Sequence, residues 1–275
     1  MEYLSYTVLV IVIIYLIAST FLIELPLKKN SLNSYCQEQK DCKLKEKGYF
    51  SDKLKAKEYL EKEFPSVKYA KVIHSTSNPE TLKKIKFPER FVMKSSTGAR
   101  MFHIGNNKDK IPELIKKAKG FLNTRHSNFG YRSIPFMALT EPHYDYNTDP
   151  KIFIEEFLEG IKEFRIMMAK GQIIYLEKIQ DDILEYYNEK WEPILDPKYD
   201  VLRLSKNKQK PKCIEEILKF CKDFYEKTDF QLVRMDFYLN KDETEYYFGE
   251  FTFTPENCRR KYSDTFHKKY KNLFG

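Results

Sequence analysis

Glycine, histidine and tryptophan are scarce in this chain, which has 9 Gly, 5 His and 1 Trp among 275 residues. The histidines show no short spacing such as HxxxH, so we expect none of them to be a metal ligand. Internal repeats and low-complexity tracts are absent as well, which argues against solenoid and fibrous architectures. The sequence also lacks an Arg-rich patch and any nucleic-acid-binding motif, and we expect no nucleic-acid partner.

Cysteine is present in an odd number and without any CxxC pair. The five residues are Cys36, Cys42, Cys213, Cys221 and Cys258. This usage does not form a disulfide framework and favours unpaired cysteines in a reducing compartment. A Cys36–Cys42 bridge is the alternative if the chain faces an oxidising compartment.

Charge is abundant but nearly balanced, with 48 basic and 40 acidic residues and a net charge of +8. The charged fraction of 32% and the hydrophobic fraction of 42% are those of a globular protein rather than a disordered one. Because the two signs are interspersed, most of these charges are expected on solvated surface. The length allows one sizeable domain or two small lobes.

A long hydrophobic run lies at the N-terminus, where residues 4–23 carry no charge. As a helix, about 20 residues cross a hydrocarbon core of ~30 Å, and we predict a transmembrane anchor over residues 1–25. A cleaved signal peptide is the alternative, although it would need a basic start and a shorter apolar run.

Lysines flank only the C-terminal side of this run. Before residue 50 the chain has Lys28, Lys29, Lys40, Lys43, Lys45 and Lys47. The positive-inside rule then predicts a single-pass membrane protein with its C-terminal body in the cytoplasm. Residues 26–50 are predicted to be a basic juxtamembrane linker, whose lysines either rest on anionic lipid or are simply solvated.

Two segments near the C-terminus, residues 231–239 and 245–255, alternate β-forming apolar residues with polar ones. The polar turn between them predicts a hairpin that brings Asp236 opposite Glu250. One face of that hairpin then carries Leu232, Arg234, Asp236, Tyr238, Glu250, Thr252 and Thr254. Carboxylates on rigid strands are oxygen ligands of the kind Mg²⁺ prefers. A solvated strand face is the alternative interpretation.

Two upstream segments place charged residues within apolar strands. Residues 90–98 predict a buried strand with Lys94, whose ammonium must reach either a partner or water, the latter on an exposed edge strand. Residues 152–171 predict two strands joined by a short turn and continuing into a meander. The irregular stretch 124–150, rich in Tyr, His, Asn and Pro, is expected to form an acceptor-binding region.

Val-Arg-Met-Asp-Phe-Tyr at 233–238, followed by Tyr-Phe-Gly-Glu-Phe-Thr-Phe-Thr-Pro at 247–255, resembles the end of the TupA-like branch of the ATP-grasp superfamily. The Pro-x-x-Phe-Val-x-Lys pattern that ends at Lys94 is similar to the family's phosphate-binding strand. The resemblance covers residues 85–256 and implies an α+β ATP-grasp fold within residues 51–275. In that fold two α+β lobes clamp ATP and one or two Mg²⁺ ions.

The resemblance also implies a role for individual residues. Asp236 and Glu250 would be magnesium ligands, and Thr252 stands where many ATP-grasp enzymes have a further ligand, an asparagine. Lys94 and Arg234 would offset phosphate charge during catalysis. The hinge that meets adenine would be formed by Glu155, Glu156, Phe157 and Leu158. Glu163 would hold the ribose hydroxyls, and Arg165 replaces a lysine that is common in the family.

Two departures from the family pattern concern the phosphate lid and the substrate region. The lid, residues 95–100, has one glycine where several are usual, and backbone amides cradle phosphate more easily when glycine lets the loop curl inward. Residues 180–182 read Gln-Asp-Asp where an arginine is usual. The first departure affects catalytic competence and the second affects substrate recognition.

The function implied by the resemblance is ATP- and Mg²⁺-dependent ligation of a carboxylate to an amine through an acyl phosphate. TupA-like proteins are associated with glycan or cell-surface polymer modification, which agrees with a membrane anchor at residues 4–23. Two alternatives stay open. One is a non-catalytic, membrane-tethered protein that binds a nucleotide or glycan, and the other is kinase-type transfer of phosphate to a hydroxyl.

Overall fold

The computed structural model describes residues 28–99, 101–123, 141–147, 149–180, 183–205 and 209–275. The predicted anchor at residues 1–25 lies outside these ranges. Within them, the longest helices are too short or too polar to traverse a lipid bilayer. The described chain folds around two antiparallel β-sheets, one of four strands and one of five.

Helices and strands follow one another in an α+β order. The α-helices of the described ranges are α1 (Leu32–Lys40), α2 (Leu44–Ser51), α3 (Lys53–Glu63), α4 (Ile111–Asn123), α5 (Ile214–Thr228) and α6 (Asp264–Phe274). The strands are β1 (Val72–Thr76), β2 (Arg90–Ser95), β3 (Phe102–Asn106), β4 (Ile152–Glu156), β5 (Lys162–Ala169), β6 (Gln172–Gln180), β7 (Ile183–Tyr187), β8 (Leu232–Leu239) and β9 (Tyr246–Thr252).

The smaller sheet has the strand order β1-β4-β2-β3. Alternate residues of β2 and β4 point to one face, where the apolar stripe of α4 covers them. The resulting core contains Leu82, Phe91, Met93, Leu114, Ile115, Ala118, Ile152 and Ile154. The opposite face of β2 and β4 therefore carries the polar residues Lys94 and Glu155. Lys94 pairs with Phe153 and Glu155 pairs with Val92, so the two polar residues are diagonal neighbours on adjacent strands.

The larger sheet has the strand order β7-β6-β5-β8-β9. Its apolar face packs against α3 and α5, with buried side chains such as Leu60, Phe164, Phe224, Met235 and Phe251. The alternation predicted for residues 231–255 is confirmed by the burial of β8, in which every second residue is buried along most of the strand. The other face carries polar side chains towards one end, whereas Met167, Ala169 and Leu232 at the other end pack with α1 and α6.

Two helices lie within or at the edge of the predicted 26–50 linker, α1 at Leu32–Lys40 and α2 at Leu44–Ser51. Ser31 caps α1, its hydroxyl accepting a hydrogen bond from the backbone N–H of Ser34. Leu32 and Tyr35, spaced three apart, pack with Phe266 and Phe274 of α6 over the end of the larger sheet. The remaining residues of α1 are mostly polar, so two apolar positions gave little signal in the sequence.

One disulfide bond joins Cys36 in α1 to Cys258, which follows β9 at a sequence separation of 222. The Cα atoms lie 5.4 Å apart, within the usual range for a bridge. Cys42, Cys213 and Cys221 are free. The expectation that the cysteines are unpaired is thus wrong for two of the five, and the alternative bridge to Cys42 does not form. The cysteines therefore no longer support the inference that the protein resides in a reducing compartment.

Candidate functional site

Asp236 of β8 and Glu250 of β9 are directly opposite each other in the antiparallel ladder, as the sequence predicted. Opposed residues of such a pair project to the same face of the sheet. A bulge follows, because Phe237 pairs with Phe248 and leaves Gly249 unpaired. A Cβ atom at Gly249 would lie 2.9 Å from the carbonyl oxygen of Asp236, so the close approach of the strands depends on glycine.

Each of these carboxylates has a cationic partner. The guanidinium of Arg234 binds Asp236 in a bidentate manner, with Nε–Oδ1 and Nη2–Oδ2 distances of 2.7 Å. The ammonium of Lys53, at the start of α3, lies 3.1 Å from Oε2 of Glu250. Nε of Arg165 lies 3.8 Å from Oδ2 of Asp236. The cations thus balance the two negative charges that face each other across the ladder.

Burial and these neighbours shift the two carboxyl groups in opposite directions. Burial raises the pKa of Asp236 above its usual value, and this outweighs the opposing effect of Arg234. Burial acts on Glu250 in the same sense, but the charges of Lys53 and Arg234 outweigh it and hold the pKa of Glu250 below its usual value. The carboxyl of Glu250 is therefore the one that stays ionised most readily.

The donor set at this position fits a magnesium ion. Asp236 and Glu250 offer carboxylate oxygens, and the hydroxyl of Thr252 lies nearby, accepting a hydrogen bond of 3.3 Å from Arg234. No cluster of three or more His, Cys, Asp or Glu side chains suited to a metal occurs among the residues that the structure describes. Mg²⁺ commonly binds through one or two carboxylates plus phosphate oxygens and water, so a two-carboxylate site is sufficient.

Lys94 of β2 faces this site from the smaller sheet. Its ammonium lies 5.7 Å from the ring centroid of Tyr238 in β8, and Tyr238 is the ladder partner of Glu163 in β5. Tyr238 thus links Lys94 to Glu163 and to the strand that carries Asp236, although the three residues are distant in sequence. The polar faces of the two sheets are thus brought together.

The four hinge residues have different surroundings. Glu155 is buried, with Oε1 lying 2.5 Å from Nζ of Lys94 and Oε2 lying 2.5 Å from Nζ of Lys57. Glu156 is half-buried, and its Oε1 accepts a hydrogen bond from the backbone N–H of Lys71. The Phe157 ring lies under the guanidinium of Arg90, and Leu158 is half-buried. The Glu155 carboxylate is thus already occupied by two lysines.

Arg165 connects three acidic residues on the polar face of the larger sheet. It lies 2.6 Å from Glu163, 2.8 Å from Glu177 and 3.8 Å from Asp236. Glu177 is fully buried, and its other carboxylate oxygen lies 3.2 Å from Arg260. A continuous row of alternating charges therefore runs across β6, β5 and β8, and it restricts the orientation of Arg165.

The phosphate lid predicted after Lys94 is held against the start of α3. The hydroxyl of Ser96 donates to Oδ2 of Asp52 at 3.0 Å, and the carbonyl of Ser96 accepts from the backbone N–H of Lys53 at 2.7 Å. The carbonyl of Gly98 accepts from Nζ of Lys53 at 2.8 Å. Asp52 is also the N-cap of α3, accepting from the N–H groups of Leu54 and Lys55. The lid is thus anchored by side chains.

Sequence reasoning missed Lys53 and Lys57, which are four residues apart on one face of α3. A spacing of four was visible, but in a helix rich in Lys and Glu it is ordinary for a solvated surface. Sequence reasoning also missed Glu141, which lies within the predicted acceptor-binding stretch 124–150. Its Oε1 accepts a hydrogen bond of 2.8 Å from Thr254, and burial raises its pKa. Residues 124–140 of that stretch lie outside the described chain.

Comparison with known proteins identifies the family. The model of the TupA-like ATP-grasp family matches residues 32–275. No curated protein matches the chain.

Several solved structures are similar to the chain at low identity. The D-alanine–D-alanine ligase of Helicobacter pylori has 21% identity and a TM-score of 0.48, and the match covers 82% of this chain and 60% of that chain. D-alanyl-alanine synthetase A of Vibrio cholerae has 13% identity and a TM-score of 0.47, with 82% of this chain and 64% of that chain covered. The L-amino acid ligase of Bacillus licheniformis has 12% identity and a TM-score of 0.45, with 74% of this chain and 42% of that chain covered. The chain spans less than two thirds of the length of each. On the family match, which covers nearly all of the described chain, this protein belongs to the TupA-like ATP-grasp family and has its α+β ATP-grasp fold.

Proposed function

We propose that the protein is an ATP-dependent ligase that joins a carboxylate to an amine. The observation that carries the proposal is the convergence of Lys94 from one sheet with Arg234, Asp236 and Glu250 from the other. Two sheets whose polar faces meet at lysine, arginine and paired carboxylates provide the charges that phosphoryl transfer requires. Membership of the ATP-grasp fold family supports nucleotide binding between them.

Each residue has a definite part in this proposal. Lys94 binds phosphate oxygens of ATP, and Arg234 stabilises the charge that develops as the terminal phosphoryl group moves to the substrate carboxylate. The amine of the second substrate then attacks the acyl phosphate, and an amide forms as phosphate leaves. Glu156, Phe157 and Leu158 line the nucleotide base, and Glu163 binds the ribose hydroxyls. The amine loses a proton to solvent or to the departing phosphate as the amide forms, and catalysis rests on positioning and charge neutralisation more than on an acid–base pair.

Asp236, Glu250 and Thr252 would hold Mg²⁺, which supplies neutralisation of phosphate charge when it is bound. In the described structure Arg234 balances the charge of Asp236, and Lys53 balances the charge of Glu250.

Glu155 acts differently from the other hinge residues. Held by Lys57 and Lys94, it orients the Lys94 ammonium rather than contacting adenine.

We also propose that the uncharged run at residues 4–23 anchors the enzyme to a membrane, where the substrate is a component of a glycan or cell-surface polymer. The run is long enough to span a bilayer. The lysine excess that follows it favours a cytoplasmic catalytic domain with access to ATP. The disulfide between Cys36 and Cys258 argues against that orientation, because such bonds persist in oxidising compartments.

The anchored lid favours a second function, a non-catalytic nucleotide-binding protein. Backbone N–H groups of Ser95 and Ser96 already donate to the carbonyls of Met101 and Lys151. These amides cannot cradle a phosphate while those bonds persist. A protein of this kind would bind ATP in the cleft but would not transfer its phosphoryl group.

Substitution of Asp236 tests the proposal. Asp236→Asn in the full chain, purified in detergent, should abolish the Mg²⁺-dependent part of ATP binding measured by calorimetry, and with it ATP turnover in the presence of carboxylate and amine substrates. Asp223→Asn, on the outer surface of α5, is the matched control and should change neither. Equal ATP affinity of the wild-type protein and Asp236→Asn would contradict the metal site. Binding without turnover for any carboxylate would favour the non-catalytic function.

A further inference from the structure

Lys53 occupies an unusual position between the two sheets. Its backbone N–H and its ammonium both bind the lid, at Ser96 and Gly98, and the same ammonium lies 3.1 Å from Glu250 of β9. The side chain is 14% exposed, so its charge is directed into the cleft rather than to the surface. One flexible cation thus contacts both the lid and a proposed magnesium ligand.

The first two residues of the lid already have partners within the protein. The N–H groups of Ser95 and Ser96 are engaged by carbonyls of the protein, and Ser96 is fully buried. The side chain of Ser96 is also engaged, with Asp52 as its acceptor and the N–H of Lys151 as its donor. The backbone N–H groups of Ser95 and Ser96 are therefore not available to bind a phosphate, and the ammonium of Lys53 is the cation that contacts the lid from α3.

We propose that Lys53 is a further catalytic residue, which binds the terminal phosphate of ATP in place of glycine-rich lid amides. This proposal rests on the ligase function above. In the nucleotide complex the charge of Glu250 would be neutralised by the Mg²⁺ that it holds, and the ammonium of Lys53 would be released from that carboxylate. Its three donors then serve the carbonyl of Gly98 and the terminal phosphoryl oxygens at once.

A purely structural role makes a different prediction. If Lys53 only fastens α3 to the lid, its loss weakens the fold and lowers the affinity for all nucleotides alike. If it contacts the terminal phosphate, its loss discriminates between ATP and ADP, since ADP lacks that group. The ratio of the two affinities is therefore a readout that a structural role does not change.

Lys53→Met keeps the aliphatic stem and removes the charge. In the full chain, the Kd for Mg²⁺·ATP measured by calorimetry should rise about 10- to 100-fold, the range expected for a lost charged hydrogen bond. The Kd for ADP should stay within about twofold of wild type, and Lys53→Arg should restore most of the ATP affinity. Lys55→Met is the matched control on the same helix, where the ammonium lies 6.0 Å from the ring centroid of Tyr49, and it should change neither Kd.

The outcomes separate this proposal from the ligase function. An unchanged ATP-to-ADP ratio in Lys53→Met, with wild-type protein binding Mg²⁺·ATP, overturns the role of Lys53 and leaves the ligase function standing. A parallel loss of ATP and ADP affinity together with a lower Tm assigns Lys53 to the fold and also overturns the proposal. Wild-type protein that binds no ATP overturns the ligase function and this proposal together.

Discussion

Lys57 and Glu155 form a buried ion pair between α3 and the smaller sheet, with an Nζ–Oε2 distance of 2.5 Å and side chains 6% and 4% exposed. Lys94 binds the other oxygen of the same carboxylate. Burial lowers the pKa of Lys57, and the pKa of Glu155 is lowered as well, because the two lysine charges outweigh the effect of burial. One carboxylate therefore positions two lysines, Lys57 from α3 and Lys94 from β2.

Replacing Glu155 by Gln should destabilise the protein strongly. The substitution leaves the buried Lys57 and the half-buried Lys94 without their counter-charge, and removal of one partner from a buried pair costs about 3–5 kcal/mol. Glu159→Gln, at an exposed ion pair with Arg90, should cost less than about 0.5 kcal/mol. Urea denaturation of both variants measures the free energies of unfolding. Similar values for the two would show that the buried pair contributes nothing beyond a surface pair.

The same pair predicts a pH dependence. Because the pKa of Glu155 in the folded state lies below the 4.5 of an unperturbed glutamate, its contribution to stability is fully present above that value. The contribution is lost as the pH falls from 4.5 through the folded-state pKa. The difference in unfolding free energy between wild type and Glu155→Gln should therefore be constant from pH 6 to 7 and shrink below about pH 4.5. A difference that grows on acidification would contradict this sign.

The hairpin of β8 and β9 could be predicted from the sequence because it depends on local pattern, whereas the ATP-grasp fold was expected from the family resemblance. The period-two alternation of β8 and β9 specified both their faces and the pairing of Asp236 with Glu250. The bulge at Gly249 was not predicted, because a bulge changes the register by a single residue that alternation alone does not identify. The family resemblance then supplied the expected position of Lys94 relative to these strands.

The contacts made by α1 and α3 could not be predicted in this way. Lys53 and Lys57 belong to a helix whose composition is that of a solvated surface, and their carboxylate partners, Glu250 and Glu155, are 197 and 98 residues away in sequence. Leu32 and Tyr35 provide few apolar positions, so the packing of α1 on α6 had a weak signal. Disulfide pairing across 222 residues is likewise a property of the tertiary fold.

Removing the disulfide should destabilise the attachment of α1. Cys258→Ser opens a loop closed across 222 residues, and loss of a native bridge costs about 2–5 kcal/mol. Its Tm should fall and become insensitive to reductant, whereas the Tm of wild-type protein should fall when reductant is added. Cys42→Ser, at an exposed free cysteine, should behave as wild type. Complete alkylation of Cys36 and Cys258 by a thiol reagent added to cells at lysis would show that the bridge is absent in the cell.

Gly249 provides the sharpest test of how the carboxylates are placed. In Gly249→Ala the new Cβ atom would lie 2.9 Å from the carbonyl oxygen of Asp236, a backbone atom held in the ladder. The strands must separate to accommodate it, and overpacking of this kind costs about 1–3 kcal/mol. Because Glu250 is the next residue, the affinity for Mg²⁺·ATP should fall as well.

The matched control is Gly120→Ala in α4, where an added Cβ atom has no neighbour within 4 Å. Alanine is favoured over glycine within a helix by up to about 1 kcal/mol, so this variant should be as stable as wild type or more so. Urea denaturation compares the two, and calorimetry with ATP follows. If Gly249→Ala retained both wild-type stability and Mg²⁺·ATP affinity, the spacing of β8 and β9 at the bulge would not determine the position of Glu250.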